Sequence, residues 1–272
     1  MELIISIAGL VLGAIGTYFA YVQVRGQLTK SKTARIIDQQ RESNPVSDSS
    51  GPQLRIVTVH DLHALGMTTK RIVEVLVSMD YDNLDGAEEE DVGQVVTWTP
   101  IVDNNPDGMR ILVDQHNDII GYWHFLPLDD DTYDKAKAGT LDDGEIRLHN
   151  LTVIGPPGDY NMFFIMICIQ PHNRGVAALR MLLDAFVDAL HYLAKKDIYF
   201  PEMCATAFSP EGEALCKTLH MRHVAQHTRR GKIYYLDFRS VPSGLFYNKE
   251  LHALYRQRYC SPSLSDVIET SA

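Results

Sequence analysis

The chain has 272 residues, 45% hydrophobic and 22% charged, a globular balance too apolar for a disordered chain. With 18 glycines, 12 prolines and 4 cysteines it is neither collagen-like nor a disulfide scaffold. The net charge of −10 is uneven: residues 1–50 carry five basic and four acidic side chains, or +1, which leaves −11 on the rest. That acidic remainder argues against nucleic-acid binding, which needs clustered Lys and Arg, and suits a cationic partner such as an amine.

Leu3 to Val24 is 22 residues without a charge. At 1.5 Å per residue a helix there spans about 33 Å, enough for a hydrocarbon core of roughly 30 Å. Glu2 precedes it, and Arg25, Lys30, Lys32, Arg35 and Arg41 follow. The positive-inside rule then places the N-terminus outside and the rest in the cytoplasm. Residues 1–25 are thus expected to be a single-pass transmembrane anchor. Gly9 and Gly13, four apart, offer a face on which two such helices could pair as a homodimer. Residues 26–53 include Glu42-Ser-Asn-Pro-Val-Ser-Asp-Ser-Ser-Gly-Pro52, a mixture that cannot bury a core and reads as a flexible linker.

Leu54–Val59 alternates and is β-branched, which predicts a strand. Thr68 caps a helix over Thr69–Met79, with a stripe of Ile72, Val73, Leu76 and Met79. Asp80 to Asp107 is acidic and reads as irregular, with Glu88–Asp91 a solvated loop. Met109–Val113 and Ile119–Pro127 flank five polar residues, a hairpin. Asp129–Gly144 reads as a second acidic loop. Met162–Ile169 is continuously apolar, as in a strand buried on both faces. A long amphipathic helix follows from Val176 and ends near Lys195 and Lys196. Met203–Ala207 predicts a strand. Ser209-Pro210 opens a helix that ends near Leu219. Met221–Thr228 and Lys232–Phe238 form a last hairpin. Residues 241–272 make a C-terminal extension with a short helix at Leu245–Arg258. Strands alternating with amphipathic helices predict a mixed-sheet α/β domain. The four cysteines, in the cytoplasm, are expected to be reduced. Their spacing matches no zinc pattern, so no metal is expected.

The chemistry centres on Ile167-Cys-Ile-Gln-Pro-His-Asn-Arg-Gly-Val-Ala-Ala178. A central strand turns into a helix whose first amides lack intrahelical partners, at the positive end of its dipole. That is a ready anion site, or else an ordinary strand–turn–helix junction. Gly175, Val176 and Ala177 keep the rim low, and Arg174 can add charge.

The segment resembles the GNAT superfamily of acyl-CoA-dependent N-acyltransferases. There the central strand leads into Gln/Arg-x-x-Gly-x-Gly/Ala; here His172-Asn-Arg-Gly175-Val-Ala177 stands in that place, with His172 departing from the pattern. A second match lies downstream. The family often shows Asn-x-x-Ala-x-x-Leu-Tyr-x-x-Leu-Gly-Phe, and this chain has Ser209-Pro-Glu-Gly-Glu-Ala-Leu215-Cys216-Lys-Thr-Leu219-His220-Met221. The resemblance covers Leu54 to Phe238 and implies a GNAT-like domain over residues 54–240: a mixed, mostly antiparallel sheet flanked by helices. It implies acetyl-CoA or another acyl-CoA as co-substrate, its pyrophosphate held at Arg174, Gly175, Val176 and Ala177, with Ser209 at the second motif. The strands Met162–Ile169 and Met203–Ala207 would splay, and pantetheine would pair with the backbone of Ile167 and Ile169. A small-molecule or protein amine would attack the thioester.

Cys216 stands where the family's usual general acid, a Tyr, would be. It is either a proton donor or a small buried hydrophobe. His124, Glu145 and Glu202 are the candidate bases. Tyr160 either lines the acceptor mouth or covers the sheet edge. Trp123, Tyr234 and Tyr235 read as core. The expected function is a membrane-anchored N-acyltransferase; the alternative is an inactive module of the same fold that binds CoA or a nucleotide as a sensor or interaction domain.

Overall fold

The computed structural model describes residues 53–84, 92–240 and 248–260. The anchor, nearly all of the linker and Glu88–Asp91 lie outside the described residues. Among the described residues no helix is long and apolar enough to cross a membrane.

Seven strands form the main sheet: β1 (Arg55–Val57), β2 (Met109–Val113), β3 (Ile119–Leu128), β5 (Asn161–Ile169), β7 (Glu202–Ala207), β8 (Arg222–Gln226) and β9 (Lys232–Asp237). Their spatial order is β1-β2-β3-β5-β7-β9-β8. Every neighbouring pair is antiparallel except β5 with β7. Two short strands, β4 (Gly158–Asp159) and β6 (Ile198–Tyr199), pair in parallel beside it. This is the mixed, mostly antiparallel sheet that the resemblance implies.

Helices cover both faces. On one lie α1 (Val59–Ala64), α2 (Thr69–Asn83), α3 (Val95–Asn104) and α4 (Asp130–Ala138); on the other, α5 (Val176–Ala194), α6 (Pro210–Thr218) and α7 (Lys249–Cys260). The apolar side chains of β5 divide between them, Met162, Ile167 and Ile169 toward α5 and Phe163, Ile165 and Cys168 toward α2. The α5 side is aromatic: Trp123 packs edge-on to Phe186 with ring centres 5.4 Å apart, and Phe125 meets Phe200 at 5.2 Å. Trp123, Tyr234 and Tyr235 are buried, as expected. The extension contributes to this core. Leu251 and Tyr255 of α7 are buried, and the Tyr255 hydroxyl accepts from the Phe200 amide.

The caps expected at Thr68 and Ser209 form: their side chains accept from the amides of Arg71 and Gly212. Among their described residues, two acidic stretches expected to be irregular are instead largely helical. In α3, Trp98, Ile101 and Val102 make a buried i, i+3, i+4 stripe, and the Trp98 indole donates to the Val92 carbonyl at 2.8 Å. Pro100 and the β-branched residues around it mask that stripe, since both disfavour helix. In α4, Asp129 is the N-cap, Asp130 and Asp131 occupy the first turn, and Lys135 and Lys137 the last. Gly139 closes it at φ 74°, so near β8 that a Cβ there would meet the Gln226 carbonyl at 2.5 Å. Only glycine meets both demands.

Candidate active site

The site is built around β5. Its first residues pair on both edges: Met162, Phe163 and Phe164 lie beside β3 on one side and against Met203, Cys204 and Ala205 of β7 on the other. After Phe164 the pairing with β7 stops. In the same place the register with β3 shifts: Phe164 faces Phe125, but Met166 faces His124, so Ile165 is an extra residue. Such a bulge bends a strand and turns neighbouring side chains to one face. Here Ile165 and Met166 both face the α2 side.

The remaining residues pair with β3 alone. The Gln170 amide donates to the Ile120 carbonyl at 2.9 Å. Antiparallel bonding alternates, so Cys168 also bonds β3, while the backbone groups of Ile167 and Ile169 point to the edge that β7 has left. The Ile169 carbonyl confirms that direction by accepting from Arg174 Nε at 3.2 Å. The Ile169 N–H and both backbone groups of Ile167 form a short free edge where an extended amide chain could pair.

That edge runs through a turn at Pro171–Asn173 into α5. Gly175 is the N-cap and supplies no side-chain bond, so no side chain caps the helix start at Val176 and Ala177. At φ −172° Gly175 is in extended backbone open to any residue, and a Cβ there would touch nothing within 4 Å. The fold itself therefore does not require glycine at this position. Arg174 is less free than expected. Besides Ile169 it bonds the Asn83 side chain, tying the turn to the end of α2. An acyl-CoA fits these groups: a free strand edge for its amides, and an uncapped helix terminus for its phosphates.

Cys216 lies on α6, 7% exposed and packed in the α5-side core with Met221. Burial pushes its thiol up to about 12. At His220, where the family motif has Gly, the chain takes the left-handed conformation, φ 58°. Glu202 is held by Lys137 at 2.9 Å and by the Tyr235 hydroxyl at 2.6 Å. Its carboxyl lies below the usual range, because these bonds outweigh burial, the largest single influence on it. Glu145 is exposed. Tyr160 donates to the Pro156 carbonyl at 2.7 Å and is buried. Glu145, Glu202 and Tyr160 are not among the described residues that line the cavity at the β5 bulge.

His124 is. It is 4% exposed, and its Nε2 makes no hydrogen bond among the described residues. Burial pushes it down to about 3, so it is neutral at physiological pH. It lines a cavity of about 30 Å³ with Asp80, Tyr122, Trp98, Asp143, Ile165 and Met166. Asp80, in the last turn of α2, accepts from the Tyr122 hydroxyl on both oxygens, at 2.6 and 2.7 Å. Burial raises this carboxyl to about 7, against the opposing pull of that bond. Asp80 and Tyr122 escaped the sequence reading. The available signal was an acidic residue in register with the apolar stripe, four after Leu76 and seven after Val73.

No family model matches the chain, and no curated protein matches it. Among solved structures it is similar to the C-terminal condensation domain of Ebony in complex with beta-alanyl-dopamine, 12% identical, covering 69% of this chain and 100% of that one, TM-score 0.42. It is also similar to a GNAT-family acetyltransferase from Staphylococcus aureus, 10% identical, covering 68% and 99%, TM-score 0.44. A third is an acetyltransferase from Thermus thermophilus, 14% identical, covering 68% and 97%, TM-score 0.38. Scores below 0.5 lend these likenesses no weight of their own; the architecture stands on the strand order and register of the chain itself.

Proposed function

We propose that the protein is an acyl-CoA-dependent N-acyltransferase, anchored in a membrane by Leu3–Val24 with its folded domain in the cytoplasm. The observation that carries this is the free edge of β5 at Ile167 and Ile169, continuous with the uncapped start of α5 at Gly175. The acyl-CoA supplies an activated thioester. The chain orients it: backbone groups of Ile167 and Ile169 hold the pantetheine amides, and the amides of Val176 and Ala177 face the pyrophosphate. Fixing both reactants accounts for much of the acceleration such a site can give. The acceptor is an amine, in keeping with the net charge of −11 beyond residue 50.

A second reading, a CoA sensor without turnover, is favoured by one observation: a buried thiol stands at Cys216 instead of a Tyr. The test is release of CoA thiol from acetyl-CoA by the purified full chain in detergent, offered a panel of primary amines. Release dependent on an amine supports the transferase. Binding without release supports the sensor. Gly175→Asp should fold, since the position is open, yet lose the rise in melting temperature that acetyl-CoA gives the wild type. A ligand at a hundred times its dissociation constant stabilises by about 2.7 kcal/mol. Equal shifts in both proteins would remove the loop from the site. Orientation is read from Cys260, which is exposed while the other three cysteines are buried. A membrane-impermeant thiol reagent should label it only after the cells are opened.

A further inference from the structure

The cavity beneath the β5 bulge combines three features. It is walled by the two bulge residues, Ile165 and Met166, at the point where β5 parts from β7. Its other sheet residues, Met109, Tyr122 and His124, belong to β2 and β3, so Ile165 and Met166 stand between it and the free edge. It contains an unpaired, buried imidazole nitrogen. A buried polar atom left without a partner is costly, so its retention calls for an explanation. It also holds a carboxyl, Asp80, fixed by Tyr122. The volume of about 30 Å³ is enough for water, and His124 Nε2 and the Asp80 carboxyl provide polar partners for it.

Resting on the N-acyltransferase reading, we propose that Asp80 is the proton acceptor for the amine, that water between it and His124 carries the proton, and that Tyr122 is the positioning residue. The acceptor arrives as an ammonium. One of its protons passes through the water to the Asp80 carboxylate, leaving a lone pair on nitrogen. That pair forms the C–N bond to the thioester carbonyl carbon. The C–S bond breaks and sulfur leaves with its electron pair. The surplus proton on the new amide nitrogen neutralises the thiolate, giving CoA thiol. Asp80 then returns its proton to solvent.

The groups facing Asp80 are consistent with this role. Tyr122 and His124 face it from β3, Cys168 from β5, and Asp143 from the turn after α4. Asp82 on α2 and Arg174 in the turn before α5 act on the neighbouring Cys168 thiol. The helix α3 presents Trp98 and Val102, which do not ionise. A carboxyl raised to about 7 is divided between its two forms near neutral pH, the condition under which a general base works best.

The test uses the full chain, acetyl-CoA and the best primary amine of the panel, with kcat/KM followed against pH. The wild type should rise to a plateau with a midpoint near that of Asp80. Asp80→Asn keeps the shape and can still accept from Tyr122. It should lose about 10²–10⁴-fold in kcat and keep the thermal shift given by acetyl-CoA. Tyr122→Phe removes the bond that favours the carboxylate, so its midpoint should move to higher pH. If Asp80→Asn does not fold, the Tyr122→Phe midpoint decides. An Asp80→Asn enzyme with wild-type turnover, or an unmoved Tyr122→Phe midpoint, overturns the assignment while the transferase reading stands. A wild type that binds acetyl-CoA but acylates no amine overturns both.

Discussion

The two halves of β5 meet different surroundings. Met162–Phe164 is held on both edges, by β3 and β7. From Ile165 onward β7 no longer pairs with it, the strand is bulged, and a cavity holding Asp80, Tyr122 and His124 lies against it. The first half is what a buried strand needs for stability. The second gives up ladder bonds and buries ionisable groups, both of which cost stability. Such a concession within an otherwise well-paired sheet is the local feature on which the proposed acyl-CoA site rests.

The cavity half should show itself most strongly through pH. Asp80, ordinarily near 3.9, is raised to about 7 in the folded chain. Between those values the native state binds more protons, so stability falls as pH rises. His124, ordinarily near 6.5, is lowered to about 3. Between those values the unfolded state binds more, so stability rises with pH. From about pH 4 to 6.5 the two slopes oppose each other. Removing either group should expose the other. Relative to wild type, Asp80→Asn should gain stability from pH 5 to 8, and His124→Gln should gain it from pH 6 down to 4. The full range is up to about 4 kcal/mol for Asp80 and about 5 kcal/mol for His124, since one pKa unit is worth about 1.4 kcal/mol. Chemical denaturation at several pH values measures it; curves parallel to wild type would place both groups in ordinary solvent.

Proline substitutions separate the two edges. At Cys168 a proline removes the amide that bonds β3 and leaves a buried carbonyl without its donor, a loss of about 1–3 kcal/mol. At Ile167 the amide faces the free edge, where proline is tolerated. Ile167→Pro should lose only about 1 kcal/mol, from the half-buried side chain, while abolishing the thermal shift given by acetyl-CoA. In Met162–Phe164 no such tolerant position exists, because both edges are in use. Equal destabilisation by Ile167→Pro and Cys168→Pro, read by denaturant titration, would show that the edge is not free.

Much of this frame is legible in the sequence, because its signals are local. The caps at Thr68 and Ser209, the apolar run of β5 and the stripe of α5 each lie within one element. The helix α4 is legible too: an aspartate cap, acidic first turn, basic last turn and closing glycine are all present. Its acidity alone suggests a loop, which shows that the order of charges carries more than their number. In α3 propensity points the wrong way, and the Trp98 stripe is stabilised by packing that no local pattern reveals. The cavity is not legible at all. Asp80 and Tyr122 are 42 residues apart, and only the register of β3 against β5 brings His124 to the bulge.

Cys216 supplies the smallest effect and the finest distinction between the two ends of the site. A thiol at about 12 holds its proton more tightly than an ordinary thiol near 8.5 would. Giving that proton to a departing thiolate of ordinary basicity is uphill by about 5 kcal/mol. Water can protonate the thiolate without that cost falling on a buried side chain. Cys216 therefore serves the α5-side core, where it packs with Met221 and beneath α6. Cys216→Ala should cost about 1 kcal/mol of stability, the scale of removing one small buried group. It should leave kcat within a few-fold and acetyl-CoA binding unchanged. A general acid would behave otherwise, with kcat falling about 10²–10⁴-fold at constant binding. Steady-state rates and a melting curve on the same variant separate the outcomes, and a hundredfold loss in kcat would return Cys216 to the chemistry.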